Sequence, residues 1–432
     1  MGTLLTRVLL IWAIQGAALG AENFPPPEFS QDYAFPAVTR PAPRAEMLAY
    51  VDMAMLLLAL CAAAYLSLRK RSRRDLVVLV IFSLVYFGFF RRGCVCSIGA
   101  IQNVALALSD HRYALSVVVG VFFVLPLVFA LLFGRVFCAA VCPLGAVQEL
   151  VLLKPVRLPS WLDSALGVVP FAYLGAAVLY AATGASFIIC RYDPFVLFFR
   201  LSGAEGMLVY GAAMVLLSIF VGRPYCRYLC PYGALLRIVS PLAKWRASTT
   251  PGQCINCHLC ADACPYGAIR PPTPPAGSVE RAEGRTRLTW LIVGLPVILL
   301  AFGYGGRQAS PLLARVHPTI RLAERVWLEE QGTVQGQTEA SEAFDSLGVP
   351  SAELYARAAV IKERFDKGSW GLGIWIGLVL ALRLIGLSVR RTRETYQVDP
   401  VACVACARCY ASCPVEHVRH QVTAGNPTEG TP

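Results

Sequence analysis

The sequence predicts a mainly α, polytopic transmembrane bundle of about six to seven spans after an N-terminal signal, with a small cysteine-rich module on one face. Three observations predict it. Of 432 residues, 56% are hydrophobic and only 15% charged, where a soluble domain carries about a quarter charged. The apolar residues fall in long runs whose ends collect Arg and Lys. Sixteen cysteines fall in short repeated motifs, which points to metal ligation rather than a disulfide framework. The net charge of +12 would raise nucleic acid as a partner of a soluble chain. Here the basic residues flank apolar runs and no basic groove interleaves aromatics, so nucleic acid is excluded.

Residues 1–21 carry Arg7, an apolar stretch and the small residues Ala18, Gly20 and Ala21, the pattern of a signal peptide or signal anchor. Residues 22–46 are Pro-rich and read as an extended outer segment. A transmembrane core occupies 47–245. Its first span, 47–68, ends in a basic run from Arg69 to Arg74, which fixes that end in the cytoplasm. A second span over 76–90 returns outward to a loop at 91–111. Spans at 113–133, 165–182 and 207–221 follow, with a cytoplasmic loop at 134–161. Residues 246–287 hold a first cysteine motif, and 288–304 form a sixth span. Residues 305–369 are polar and read as an outer helical insert. The seventh span, 370–388, contains Gly373 and Gly377, a spacing that lets helices approach closely. Arg390, Arg391 and Arg393 mark the cytoplasm again. Residues 389–420 hold the second cysteine motif, and 421–432 form a tail.

The two motifs are Cys254-x2-Cys257-x2-Cys260-x3-Cys264-Pro265 and Cys403-x2-Cys406-x2-Cys409-x3-Cys413-Pro414. Three thiolates on a tight loop wrap three corners of a cubane, and the fourth, before a Pro, ligates the other cluster of a bacterial-type 2[4Fe–4S] ferredoxin. Cluster one is therefore assigned Cys254, Cys257, Cys260 and Cys413. Cluster two is assigned Cys403, Cys406, Cys409 and Cys264. Structural zinc would prefer two paired CxxC units. Two spans separate the halves, so they must reassemble in the cytoplasm or each must use its own fourth cysteine.

A second pattern repeats. Cys138-x3-Cys142-Pro143-Leu144-Gly145-Ala146 and Cys226-x3-Cys230-Pro231-Tyr232-Gly233-Ala234 are each preceded by Gly-Arg, which indicates an internal repeat. A third relic runs from Gly93 through Cys94, Cys96, Ser97 and Gly99 to Gln102, matching the tail up to Gln148. Pro after Cys starts a helix with the Cys as cap. The helix dipole and nearby arginines then favour thiolate. Cys138, Cys142, Cys226 and Cys230 are thus candidate metal or redox ligands, against the plainer reading of buried inert thiols. Cys61, inside the first span, reads as inert. Cys190, in Cys190-Arg191-Tyr192-Asp193-Pro194-Phe195, falls near the outer face with Cys94 and Cys96. Three thiols there are candidates for a further intramembrane iron–sulfur centre, because a bilayer core of about 30 Å is wide for one electron jump. His111, His258, His317, His417 and His420 share no ligand spacing. No nucleophile–base set or phosphate-binding loop is present.

With these motifs in view, residues from roughly 50 to 415 resemble the NosR/NapH family of membrane-bound polyferredoxins. The closest likeness is to stand-alone 4Fe–4S proteins with the Cys94/Cys96 and Cys190 motifs, in which a Pro usually stands where this chain has Ser97. The resemblance implies electron transfer in a bacterial inner membrane between the quinone pool or a cytoplasmic donor and a periplasmic partner, a flavoprotein or terminal reductase. NosR-like members carry an outer FMN-binding domain. The insert at 305–369 is too short for one and lacks a flavin-attachment motif, so flavin enters only through a partner. Two alternatives remain. Cys138, Cys142, Cys226 and Cys230 would bind copper in a cupric reductase or oxidase-assembly ferredoxin, or the clusters would serve a redox-sensing assembly platform. The outer-face cysteines have no role in the copper reading, which favours electron transfer.

Overall fold

The computed structural model describes residues 46–92, 96–194, 196–200, 205–249, 254–273, 278–389 and 392–417. The signal, nearly all of the Pro-rich segment, Cys94, Phe195, Arg390, Arg391, His420 and the tail lie outside the described residues. The chain is mostly helical. Among the described residues four helices are long and apolar enough to cross a membrane: Met47–Arg69, Ser160–Ala182, Ala282–Ala314 and Ser351–Ser388. They coincide with the first, fourth, sixth and seventh spans read from the sequence.

The other expected spans are shorter apolar helices. Val117–Phe133 and Glu205–Ser218 hold 17 and 14 residues, about 25 and 21 Å of helix. The segment read as a second span is the helix Arg73–Ser83, continued in wider π turns over Leu84–Phe90. Ser72 caps it by accepting the Asp75 N–H at 3.4 Å. The expected loop at 91–111 is corrected: Ser97–Ser109 is a helix. Its face of Ile98, Ile101 and Ala105 is buried, and that burial gives the segment a partnered helix where charge counting suggested a surface loop.

The stretch read as a helical insert is helical. Ser278–Ala314 and Ser351–Ser388 run 37 and 38 residues, about 55 Å each, so 305–314 and 351–369 continue the two long helices. Short helices Pro318–Glu330 and Glu339–Ser346 close the far end. The two long helices pack backbone to backbone. A Cβ at Gly373 would strike the Phe302 carbonyl, and one at Gly306 the Ser369 carbonyl. Only glycine permits that approach.

At the near end the hairpin's two roots meet. Strands Ile269–Arg270 and Gln397–Val398 pair antiparallel, with Ile269 opposite Val398. Asp399 N–H donates to the Ala268 carbonyl at 2.8 Å, and Arg270 pairs with Asp399 at 3.0 Å. Two stretches far apart in sequence thus form one small module under the membrane helices.

Candidate functional site

Each ferredoxin loop is built by the same backbone device. Asn256 and His258 have φ of 52° and 65°, and Ala405 and Ala407 have 54° and 59°. These are equivalent positions in the two motifs. Left-handed backbone costs a non-glycine residue about 1 kcal/mol or more, and here it turns peptide N–H groups toward sulfur. Ala405 N–H lies 3.3 Å from Cys403 Sγ, and Ala268 N–H lies 3.4 Å from Cys264 Sγ. Such donors stabilise the charge of a thiolate-held cluster.

The cysteines fall in two groups. Cys254, Cys257, Cys260, Cys409 and Cys413 line one cavity. Cys260 feels Cys254, Cys413 and Cys257. Cys409 feels Cys403, Cys406 and Cys264 before Cys260. Cys413 of the second half thus stands with the thiols of the first, and Cys264 of the first with those of the second. Among the described residues no three His, Cys, Asp or Glu side chains are arranged to hold a single metal ion. Four thiols spread around a loop-lined cavity, with amide donors behind them, fit the corners of a cubane. His258 also lines the first cavity and bonds the Tyr396 hydroxyl, so it is a cluster-side residue and not the ordinary loop histidine its spacing suggested.

One residue missed by sequence reasoning joins this module to the membrane core. Glu149 is 3% exposed. Its carboxylate receives Arg73 at 2.5 Å, Arg408 at 2.9 Å, Arg223 at 3.0 Å and the Tyr266 hydroxyl. Burial alone would raise its pKa, but Arg223, Arg73 and Arg408 hold it down to about 2. Arg408 lies between Cys406 and Cys409, Tyr266 follows Cys264-Pro265, and Arg223 opens the second Cys-x3-Cys-Pro motif. A lone acid after Cys142-Pro143 was the available signal. Arg135 adds a bond to the Val401 carbonyl at 3.1 Å.

Cys138, Cys142, Cys226 and Cys230 are all buried. Cys142 and Cys230 cap the helices Pro143–Leu150 and Pro231–Val239, and Cys230 Sγ accepts the Gly233 N–H at 3.2 Å. The expected thiolate character is corrected. Burial pushes the Cys142 and Cys230 thiols well up and Cys226 to about 11, even with Arg223 pulling Cys226 down. Desolvation outweighs the dipole and the arginines, which favours the neutral thiol at Cys142, Cys226 and Cys230.

A glutamine repeats the construction. Gln148 accepts the Tyr225 N–H at 3.0 Å and donates to Cys226 Sγ at 3.3 Å. Gln102 accepts the Ile189 N–H at 2.6 Å and faces Cys190 Sγ at 3.6 Å. Each glutamine is six residues after a capping cysteine, Cys142 or Cys96, and grips the residue before a distant one, Cys226 or Cys190. Cys190 is thus to the relic what Cys226 is to the full motif. The picture of an outer thiol set far from the inner one is also corrected: Cys96 and Cys142 line one small cavity. The helices they cap start at the same small cavity.

Comparison with known proteins agrees with this layout. A family model described as a 4Fe–4S binding domain matches residues 115–161 and 206–249, the two Cys-x3-Cys-Pro copies. A second 4Fe–4S binding domain model matches 249–270. YccM of Escherichia coli K12, named for electron transport, is 31% identical over 156 residues, covering 32% of this chain and 43% of that protein. MJ0750 of Methanocaldococcus jannaschii, uncharacterized by name, is 30% identical over 192 residues, covering 42% and 77%. NosR of Pseudomonas aeruginosa, a regulatory protein by name, is 30% identical over 224 residues, covering 47% and 30%. The chain thus spans under half the length of YccM and of NosR. No solved structure matches. The domains and relatives make this chain an iron–sulfur electron-transfer protein with membrane-type helices.

Proposed function

The chain belongs to the NosR/NapH-type membrane-bound polyferredoxins, and from that premise we propose that it passes electrons between a quinol or cytoplasmic donor and a periplasmic redox partner. In this reading it lies in the bacterial inner membrane with six to seven spans and its ferredoxin module in the cytoplasm. Cys254, Cys257, Cys260 and Cys413 hold one [4Fe–4S] cluster, and Cys403, Cys406, Cys409 and Cys264 hold the other. The clusters, when bound, take and give single electrons. The chain's own work is to fix where they sit, to screen them, and to lead onward from them. Flavin belongs to the periplasmic partner.

The observation that carries the reading is Glu149. One buried carboxylate ties both ferredoxin halves to both Cys-x3-Cys-Pro loops, so the cluster module and the membrane thiols are held as one body. From there the buried set Cys138, Cys142, Cys226 and Cys230 leads to Cys96, and Cys190 stands beside it. Cys94 completes the outer set in sequence.

Iron and acid-labile sulfide per chain, measured on anaerobically purified protein beside an EPR redox titration, test the proposal. About eight irons with two signals are expected for two clusters. Clearly more, with a third signal, assigns a centre to the membrane thiols. About four irons would overturn the two-cluster reading.

A further inference from the structure

Beside the buried thiols lies a large cavity. Its volume is about 580 Å³. It opens between the span Ser160–Ala182, the root of the return helix Ser351–Ser388, the helix Pro231–Val239 and the second ferredoxin half. Its walls have two characters. Phe171, Trp375, Leu378 and Leu382 give one apolar side, drawn from two helices long enough to cross a membrane. Leu382 and Ile238 are 57% and 47% exposed at its rim, so that side opens outward. The other side is cationic.

The cations are in excess. Asp163 pairs with Arg227 at 2.7 Å, and Asp399 with Arg270 at 3.0 Å. Arg223 is held by Glu149 and Arg135 by the Val401 carbonyl. Arg135, Arg237 and Arg383 thus face the cavity, and among the described residues no carboxylate pairs with any of the three. Among the described residues Arg237 donates to the Arg227 carbonyl. Burial and then the neighbouring Arg135, Arg383 and Arg227 depress its pKa to about 9. Positive charge crowded beside an apolar wall favours a guest with an anionic head and a greasy body.

We propose that this cavity is a binding site for an anionic phospholipid, its phosphodiester on Arg237 and Arg383 and its acyl chains along Phe171, Trp375 and Leu382. A free phosphate would satisfy the arginines but leave the apolar wall wet. A neutral-headed amphiphile would cover the wall but leave the guanidinium groups without a counter-charge. The lipid meets both demands, and it spans the seam between the return helix and the module-bearing core. Cys226 lies in the same wall, so the lipid also keeps bulk water from that thiol.

Native mass spectrometry of the intact, cluster-loaded protein tests this. Phosphatidylglycerol, phosphatidylcholine and inorganic phosphate are titrated in turn. The expected result is retention of phosphatidylglycerol under conditions that strip phosphatidylcholine. Arg237→Gln and Arg383→Gln should each weaken that binding about fivefold, with iron content unchanged as the check on folding. Equal binding of the two lipids to the native protein would overturn the proposal and mean annular lipid only. Full competition by inorganic phosphate would overturn it in favour of a free-anion site. Displacement by a short-chain quinone that is indifferent to both substitutions would overturn it in favour of a neutral-headed guest.

Discussion

The inner and outer copies of the cysteine–glutamine device share a geometry and differ in setting. Gln148 and Gln102 are both fully buried, and each binds the backbone before a cysteine as well as its sulfur. Yet Cys226 is buried and Cys190 exposed. The inner copy stands beside Arg223 and the Glu149 hub. The outer copy has the buried carboxylate of Asp193 near Cys96. The device fixes where a sulfur sits, while the surrounding charge and solvent decide its chemistry. A duplicated scaffold has thereby yielded one sealed station beside the clusters and one that meets the surroundings.

The largest effect should come from the element only the inner copy has. Glu149→Gln leaves Arg223 buried without its charge partner and should destabilise the protein by about 3 kcal/mol or more. Unfolding midpoints in detergent would measure this. Thiol labelling should rise at Cys226 and stay constant at Cys190. Equal change at both would break the comparison. The same carboxylate predicts an acid response. Its folded pKa, about 2, lies below the ordinary 4.5, so its contribution is whole above pH 4.5 and fades as pH falls toward 2. Protection of Cys226 should fade over that window and that of Cys190 should not change.

Next in size are the glutamines. Gln148→Leu and Gln102→Leu each remove a buried acceptor from a backbone N–H, at about 1–3 kcal/mol. Similar losses of thermal stability are expected. A silent Gln102→Leu would mean that the outer contact is not the same device. The smallest effects separate the copies again. A Cβ at Gly145 meets the Cys138 carbonyl at 3.3 Å, while one at Gly99 meets only Cys190 Sγ at 3.3 Å. A carbonyl yields less than a thiol, so Gly145→Ala should cost about 1 kcal/mol and Gly99→Ala less.

What could be read from the sequence followed the range of the interactions. Ligand spacing is local, so both ferredoxin loops and the Cys-Pro caps were legible. So were the four longest apolar helices and the glycines of the hairpin. The Glu149 hub was not, because its arginines come from positions 73, 223 and 408 and no local pattern links them. The helix Ser97–Ser109 was hidden by the arginines before it, which looked like a surface loop. The thiolate expectation for Cys142 and Cys230 failed because it weighed the dipole without knowing the burial.

The central claim is that the two ferredoxin halves exchange their fourth ligand across the hairpin. It is tested most directly by EPR of Cys413→Ala beside Cys257→Ala and Cys406→Ala. The account predicts that Cys413→Ala perturbs the same signal as Cys257→Ala and leaves the signal sensitive to Cys406→Ala intact. If Cys413→Ala instead reproduces Cys406→Ala, each half ligates its own cluster and the account is wrong.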